Sequence, residues 1–237
     1  MARALNGLFV TGTDTGVGKT TVSIGLLRAA RRRGLAPIPF KPVETGCDPD
    51  PADAHALWHA AQPPVDPSAV CLYSLRLPAA PHQAAEAEGV VVDLDRILTR
   101  AHDLARRGDF LLVEGAGGLL VPYTRDATAV ELAARLELPL LIVARTALGT
   151  INHTALTLRE AARHGLPIAG LVFNRTHSEL QPHEDGNGPL IARLTGQRAL
   201  GTLPWIAGGA GNDPNALADA LEGAIGSDGL TRLLEPS

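Results

Sequence analysis

The stretch LFVTGTDTGVGKTTVSIGLL, Leu8 to Leu27, constrains the fold more than any other part of the sequence. An apolar strand-like run enters a glycine-rich turn, and the turn passes through Lys19 into a segment with helical character. Gly16 and Gly18 allow successive backbone N–H groups to converge on an anion without a Cβ in the way. The first turn of the helix adds partial positive charge, the Lys19 ammonium reaches outer phosphates, and the Thr20 hydroxyl is suited to Mg²⁺. A phosphate-binding loop of the pattern G-x-x-x-x-G-K-[ST] wants glycine at position 13, where Thr13 stands and Gly12 precedes it. The strand before and the helix after favour this reading over a glycine turn with an incidental lysine.

The remaining chain alternates short apolar runs with longer amphipathic segments, the pattern of βαβ units. Strands are expected over 8–11, 36–40, 110–113, 138–143 and 168–173, with a weaker one over 199–203. Their near-continuous hydrophobicity suits strands buried on both faces. Helices are expected over 20–33, 94–107, 129–136, 152–164 and 188–194, and Gly34, Gly108 and Gly165 stand where helix C-termini favour glycine. Segments 44–51 and 62–67 are expected as loops, and 177–188 as a mobile surface loop. The fold class is α/β, a three-layer nucleotide-binding fold with a mostly parallel central sheet flanked by helices. No linker or repeat interrupts the 237 residues, so one domain over 1–237 is expected.

Composition narrows the function. The net charge of -4 and an aromatic content of 3% supply neither the basic surface nor the stacking platforms of a nucleic-acid binder. No apolar run is long enough to span a bilayer, and the N-terminal apolar run is too short for a signal sequence. Two cysteines, Cys47 and Cys71, make neither a disulfide framework nor a zinc motif. These features point to a reduced, cytoplasmic protein without nucleic-acid or membrane partners.

Three further motifs carry chemistry. In DFLLVEGAGG, Glu114 ends a buried strand and is positioned to hold magnesium or activate a ligand, while Gly115, Gly117 and Gly118 permit close approach. In PFKPVETG, Lys41 ends a strand at the carboxyl edge of the sheet, and Thr45 and Gly46 continue a turn that can bond an anion. Taken alone, Lys41 reads more readily as a surface lysine before a turn than as a ligand-binding group. Asp53 suits the first turn of a helix, or a second carboxylate for magnesium. His55 and His59 are spaced i, i+4 but have no third ligand nearby, so a solvated helical face is the simpler reading. Asn174, in FNRT, follows a strand without the acid that guanine recognition would add.

Together these residues resemble the dethiobiotin synthetase family of P-loop NTPases. The matching pieces are FVTGTDTGVGKT from Phe9, KPVETG from Lys41, DFLLVEGAGGLLVP from Asp109, LGTINHTALT from Leu148, GLVFN from Gly170 and LPWI from Leu203. The variant loop of that family accounts for Thr13. The resemblance implies an ATP-dependent ligase that converts 7,8-diaminopelargonate and CO₂ (or bicarbonate) to dethiobiotin through a carbamate and its phosphoryl anhydride. It implies Lys19 and Lys41 as catalytic residues. ATP would meet Thr15, Gly16, Val17, Gly18, Lys19, Thr20 and Thr21, then Glu114, Gly115, Ala116 and Gly117. Asn174, Arg175, Pro204, Trp205 and Ile206 would lie on its adenine side. Mg²⁺ would be held by Thr20, Asp53 and Glu114. The diamine would contact Thr13, Thr45 and the segment Gly149, Thr150, Ile151 and Asn152, which in family homodimers reaches the neighbour's site.

Some members carry an acid where Gly16 stands, segment 177–188 has no counterpart, and Asp48 and Asp50 stand close to Asp53. The main rival is a dimeric partitioning or positioning ATPase. Its signature lysine would fall at Asp14, and the ending LTRLLEPS is too short for a basic membrane-binding helix. A metallochaperone NTPase would need a Cys or His cluster, and a cobyrinate-type amidoligase a glutaminase domain for which the chain has no room.

Overall fold

A computed structural model of the chain describes residues 5–235. The strands β1 (Gly7–Gly12), β2 (Pro37–Thr45), β3 (Cys71–Leu75), β4 (Phe110–Gly118), β5 (Leu140–Arg145), β6 (Ile168–Asn174) and β7 (Gly201–Leu203) form one sheet in the order β3-β2-β4-β1-β5-β6-β7. Every pairing between them is parallel, so the expected mostly parallel sheet is parallel throughout.

Side chains alternate between the faces. Leu8 and Val10 enter one core with helices α1 (Lys19–Arg32), α2 (Ala52–Ala61) and α8 (Pro214–Leu234). Phe9 enters the other with α3 (Pro81–Glu88), α4 (Leu94–Ala105), α5 (Ala129–Leu136), α6 (Thr150–Arg163) and α7 (Glu184–Thr195). Both faces being covered, the central strands are apolar at successive positions, which is the property that made them visible in the sequence. The result is the three-layer P-loop NTPase architecture.

The strand order reverses around β1, and ligands of open parallel sheets bind beyond the carboxyl ends of strands at such a point. The glycine-rich loop leaves β1 there and enters α1. Gly34 and Gly165 follow α1 and α6 with φ of 84° and 64°, as helix-ending glycines should.

Several expectations are corrected. Lys41 does not end its strand. Strand β2 continues to Thr45, because beyond Phe40, the last residue paired with β4, it pairs with β3. Strand β3 escaped notice because CLYSL is a short edge strand in which Ser74 is exposed between buried Tyr73 and Leu75. Glu44 is therefore a buried strand residue, and the loop expected over 44–51 starts at Gly46. Glu114 likewise lies inside β4, which runs on to Gly118 beside Gly12. Gly108 is not a helix C′ residue, since α4 ends at Ala105; a Cβ there would overlap the Ala36 carbonyl. The segment 177–188 is not wholly loop, for α7 begins at Glu184 and its glycines and Pro189 disguise it. The 21-residue α8 was not anticipated. It bends at Gly226, whose φ is 71°, and the break blurs its helical period.

Candidate active site

Gly16 and Gly18 take φ of 73° and 92°, conformations that favour glycine and turn the loop back over the sheet edge. Gly18 has a second reason to lack a side chain, since a Cβ would collide with the Asn174 amide. Asn174, at the end of β6, donates from Nδ2 to the Val17 carbonyl at 2.9 Å and so props the loop from behind. Val17 is fully buried, so it packs the loop onto the core from within and does not line the cleft. The Thr13 amide donates to Val143 O at 3.0 Å, and Arg145 approaches Asp14 at 3.6 Å, so β5 anchors the start of the loop.

Four charged groups meet where α1 faces β2 and β4. Glu114 is fully buried, and its Oε1 accepts from Thr20 Oγ1 at 2.9 Å and Lys41 Nζ at 2.6 Å. Lys41 also donates to Asp53 Oδ2 at 2.9 Å. Asp53 is positioned by Glu44, whose two carboxylate oxygens accept the backbone amides of Asp53 and Ala54 at 2.8 and 2.9 Å. A buried strand carboxylate thus caps α2 and turns its first acidic side chain toward Lys41. Burial works against the Lys41 charge, but Glu114 and Asp53 outweigh it and raise its pKa, so the ammonium persists across ordinary pH. Lys19 is also buried; burial lowers its pKa, Lys41 adds to that effect, and the opposing pull of Glu114 and Asp53 does not cancel it. For Asp53, burial favours the neutral form, yet Lys41 holds the carboxyl below its usual range.

Glu114 Oε2 is buried without a hydrogen-bond partner, a lone pair of a fixed carboxylate still to be satisfied. With the Thr20 hydroxyl and Asp53 it makes a set of hard oxygen donors. Among the described residues no group of three or more His, Cys, Asp or Glu is placed to cage a metal. One or two carboxylates and a hydroxyl, with further ligands from phosphates, are what Mg²⁺ usually takes. The donor set therefore fits a nucleotide-borne Mg²⁺.

The charged cluster opens into a cleft of about 660 Å³. Thr15, Gly16, Gly18, Lys19, Thr20 and Thr21 line one side. Lys41, Thr45 and Asp53 line another, with Ala116 and Gly117 at the end of β4. A smaller hollow of about 250 Å³ shares Gly16, Gly18 and Thr21 and adds Asn174, Arg175, Trp205 and Ile206, a shape suited to a flat base beside the phosphates. Pro204 and Gly115 belong to neither lining; Gly115 instead packs at the Phe9 ring. Thr13 is also outside both, as are Gly149, Thr150, Ile151 and Asn152 at the start of α6. Thr150 is buried against Thr154, whereas Leu148 just before is 83% exposed. A roomier cavity, about 750 Å³ between α7 and β6–β7, contains neither lysine nor the loop, so size does not mark the chemistry.

Two supporting residues went unnoticed in the sequence. Glu44 has been described; the other is Tyr123, fully buried, whose hydroxyl accepts the Ala116 amide at 2.8 Å and fixes the glycine-rich end of β4. One available signal was the use of lysine. The sequence has 21 Lys and Arg, of which only Lys19 and Lys41 are lysine, and both stand in the cleft.

Comparison with known proteins agrees with this geometry. The profile of a family described as an AAA domain matches residues 6–210. An ATP-dependent dethiobiotin synthetase BioD of Anaeromyxobacter dehalogenans is 50% identical over 202 residues, covering 85% of this chain and 91% of the relative. One of the same name from Bacillus cereus is 39% identical, covering 86% and 85%. Among solved structures, the MinC:MinD cell division complex of Aquifex aeolicus aligns with a TM-score of 0.61 at 14% identity, over 98% of this chain and 97% of that one. A ParA family ATPase from Chlorobium tepidum aligns with a TM-score of 0.53 at 14% identity, over 99% and 94%. At such identities the structural likeness speaks of fold alone.

Proposed function

The chain belongs to the ATP-dependent dethiobiotin synthetase family and is a ligase that uses ATP, and from that premise we propose that it closes a cyclic urea from 7,8-diaminopelargonate and CO₂. The observation that carries the reading is the pair of buried lysines facing one cleft, Lys19 from the phosphate loop at the start of α1 and Lys41 from β2, two strands away from β1. One amine of the diamine adds to CO₂ and loses a proton, giving a carbamate. A carbamate oxygen attacks the γ-phosphorus of ATP, forming the carbamic–phosphoric anhydride and releasing ADP. The second amine then attacks the carbamoyl carbon, expels phosphate and closes the ring.

Lys41 is assigned to the carbamate and Lys19 to the transferring phosphoryl group. Held on either side of the cleft, they lower the entropic cost of bringing two anions together and stabilise charge spreading over the oxygens in transit. Loop N–H groups of Thr15 to Thr21 cradle the phosphates, and Asn174, Arg175, Trp205 and Ile206 receive the adenine. Mg²⁺ held by Thr20, Asp53 and Glu114 would neutralise phosphate charge. Thr45 lines the diamine side. The segment Gly149 to Asn152 at the start of α6, in which Gly149 and Asn152 are exposed and Thr150 is buried, is proposed to complete the neighbouring subunit's diamine site in a cytoplasmic homodimer with no nucleic-acid or membrane partner. Among the described residues no helix is long and apolar enough to cross a membrane.

The test is ADP release by the purified protein with ATP and Mg²⁺, with and without diamine and bicarbonate. Release that requires both, with dethiobiotin formed in equal amount, is expected. Hydrolysis stimulated by DNA or lipid and indifferent to the diamine would overturn the reading in favour of a switch ATPase. Asp14, paired with Arg145, stands where that class would place its signature lysine.

A further inference from the structure

Lys41 Nζ bridges Glu114 Oε1 at 2.6 Å and Asp53 Oδ2 at 2.9 Å, the two carboxylates assigned above to the metal. Lys41 and Glu114 are 4% and 0% exposed, so the ammonium is enclosed on the carboxylates rather than resting against them. We propose that Lys41 excludes a bare divalent cation from Glu114 and Asp53, so that metal enters only with a nucleotide, whose phosphates draw Lys41 off the carboxylates and toward the substrate side of the cleft. This rests on the assignment of Glu114 and Asp53 as metal ligands, and goes beyond it by making one lysine serve two positions in turn.

Charge supports the exclusion. The ammoniums of Lys19 and Lys41 offset the charges of Glu114 and Asp53, and the third carboxylate of the cleft, Glu44, is taken up by the Asp53 and Ala54 backbone amides, so little attraction is left for a lone divalent cation. Such a cation would also face both ammoniums at short range. A nucleotide reverses the balance, since its phosphates bring several negative charges and new acceptors for Lys41. The unpartnered Glu114 Oε2 shows that Lys41 does not saturate the carboxylate, so the bridge leaves one lone-pair direction open to the arriving metal. Residue type matters too. A lysine is a compact point charge on a four-carbon stem that can swing between acceptors, whereas the planar guanidinium used nineteen times elsewhere in the sequence has a fixed fork.

The experiment is titration with Mn²⁺, followed by electron paramagnetic resonance, without diamine. Wild-type protein should bind Mn²⁺ weakly alone and strongly with a non-hydrolysable ATP analogue. Lys41→Gln and Lys41→Met should bind Mn²⁺ alone more tightly by on the order of tenfold. Lys41→Arg should stay as weak as wild type. Removal of Lys41 leaves Glu114 less compensated, so folding of each variant is checked by circular dichroism.

A measurement on wild-type protein does not depend on any variant folding. ¹⁵N labelling of lysine side chains gives two Nζ resonances, one from each lysine of the sequence. The Lys41 resonance should move when Mg²⁺ and the analogue are added together, and stay in place with Mg²⁺ alone. Tight binding of Mn²⁺ alone to wild type, no gain in Lys41→Gln and Lys41→Met, or movement of Lys41 with Mg²⁺ alone would each overturn the proposal. Because no diamine is present, such a result leaves diamine-dependent ADP release, and the ligase reading with it, to be judged separately.

Discussion

Gly18 and Asn174 show how much of this site is decided by single atoms. The φ of 92° at Gly18 and the Asn174 amide beneath it both require the absence of a Cβ. Gly18→Ala is expected to weaken ADP binding by roughly tenfold or more, about 1.4 kcal/mol, while the far-ultraviolet spectrum stays native. Isothermal titration would check this, and unchanged affinity would mean that the loop tolerates displacement. Lys19, Thr20 and Glu114 stand out in the sequence because a strand–loop–helix cradle and a strand-borne carboxylate leave local signatures, whereas Lys41, which alone reads as a surface lysine, stands out only through the family resemblance. Glu44 and Tyr123 were not, because each satisfies backbone amides on another segment, Asp53 and Ala54 for the first and Ala116 for the second.

Secondary-structure elements here are held in place by carboxylates at helix starts. Glu44→Ala removes both acceptors from the N-terminus of α2, and should cost about 0.5–2 kcal/mol in urea unfolding. The same change should weaken Mn²⁺–nucleotide binding, since Asp53 would lose its orientation; a stability loss with unaltered metal affinity would show that Lys41 alone positions Asp53. At α7, buried Glu184 accepts from Arg175 Nε at 3.4 Å and lies 2.5 Å from His177 Nε2. Burial opposes its ionisation, but Thr146 and His177 beside it, with the Gln181 amide, hold its pKa down to about 2. A carboxyl lowered in the folded state contributes stability fully above its unfolded value of about 4.3, and that contribution is lost as pH falls toward about 2. The stability difference between wild type and Glu184→Gln, measured by denaturant titration, should therefore shrink as pH drops through that window. A difference independent of pH would assign the effect to packing. The short β3 and the glycine-broken α8 were illegible for a common reason, as each forms by packing against a neighbour rather than through its own periodicity, whereas α7 was legible over 188–194 and only its glycine-containing first turn was missed.

For the molecule as a whole, α8 closes one layer of the sandwich by lying along α1. Gly25 admits it, since a Cβ there would come within 2.8 Å of the Leu217 carbonyl, and Leu217 and Leu221 are fully buried. Leu221→Ala should cost about 2–5 kcal/mol by thermal or chemical unfolding. A loss well under 1 kcal/mol would mean that the layer is dispensable. The phosphate loop, the five long strands and the family resemblance were carried by the amino-acid sequence, because they depend on contiguous residues and on strands apolar on both sides. The meeting of Thr20 with Glu114 across 94 residues, of Lys41 with Glu114 across 73, and of Lys41 with Asp53 across 12 was not. Those contacts follow from which strands become neighbours, a choice made by the free energy of the packed sheet and its two helical layers. The chain's composition supplies the charges; only the assembled sheet edge brings Lys41 between two carboxylates.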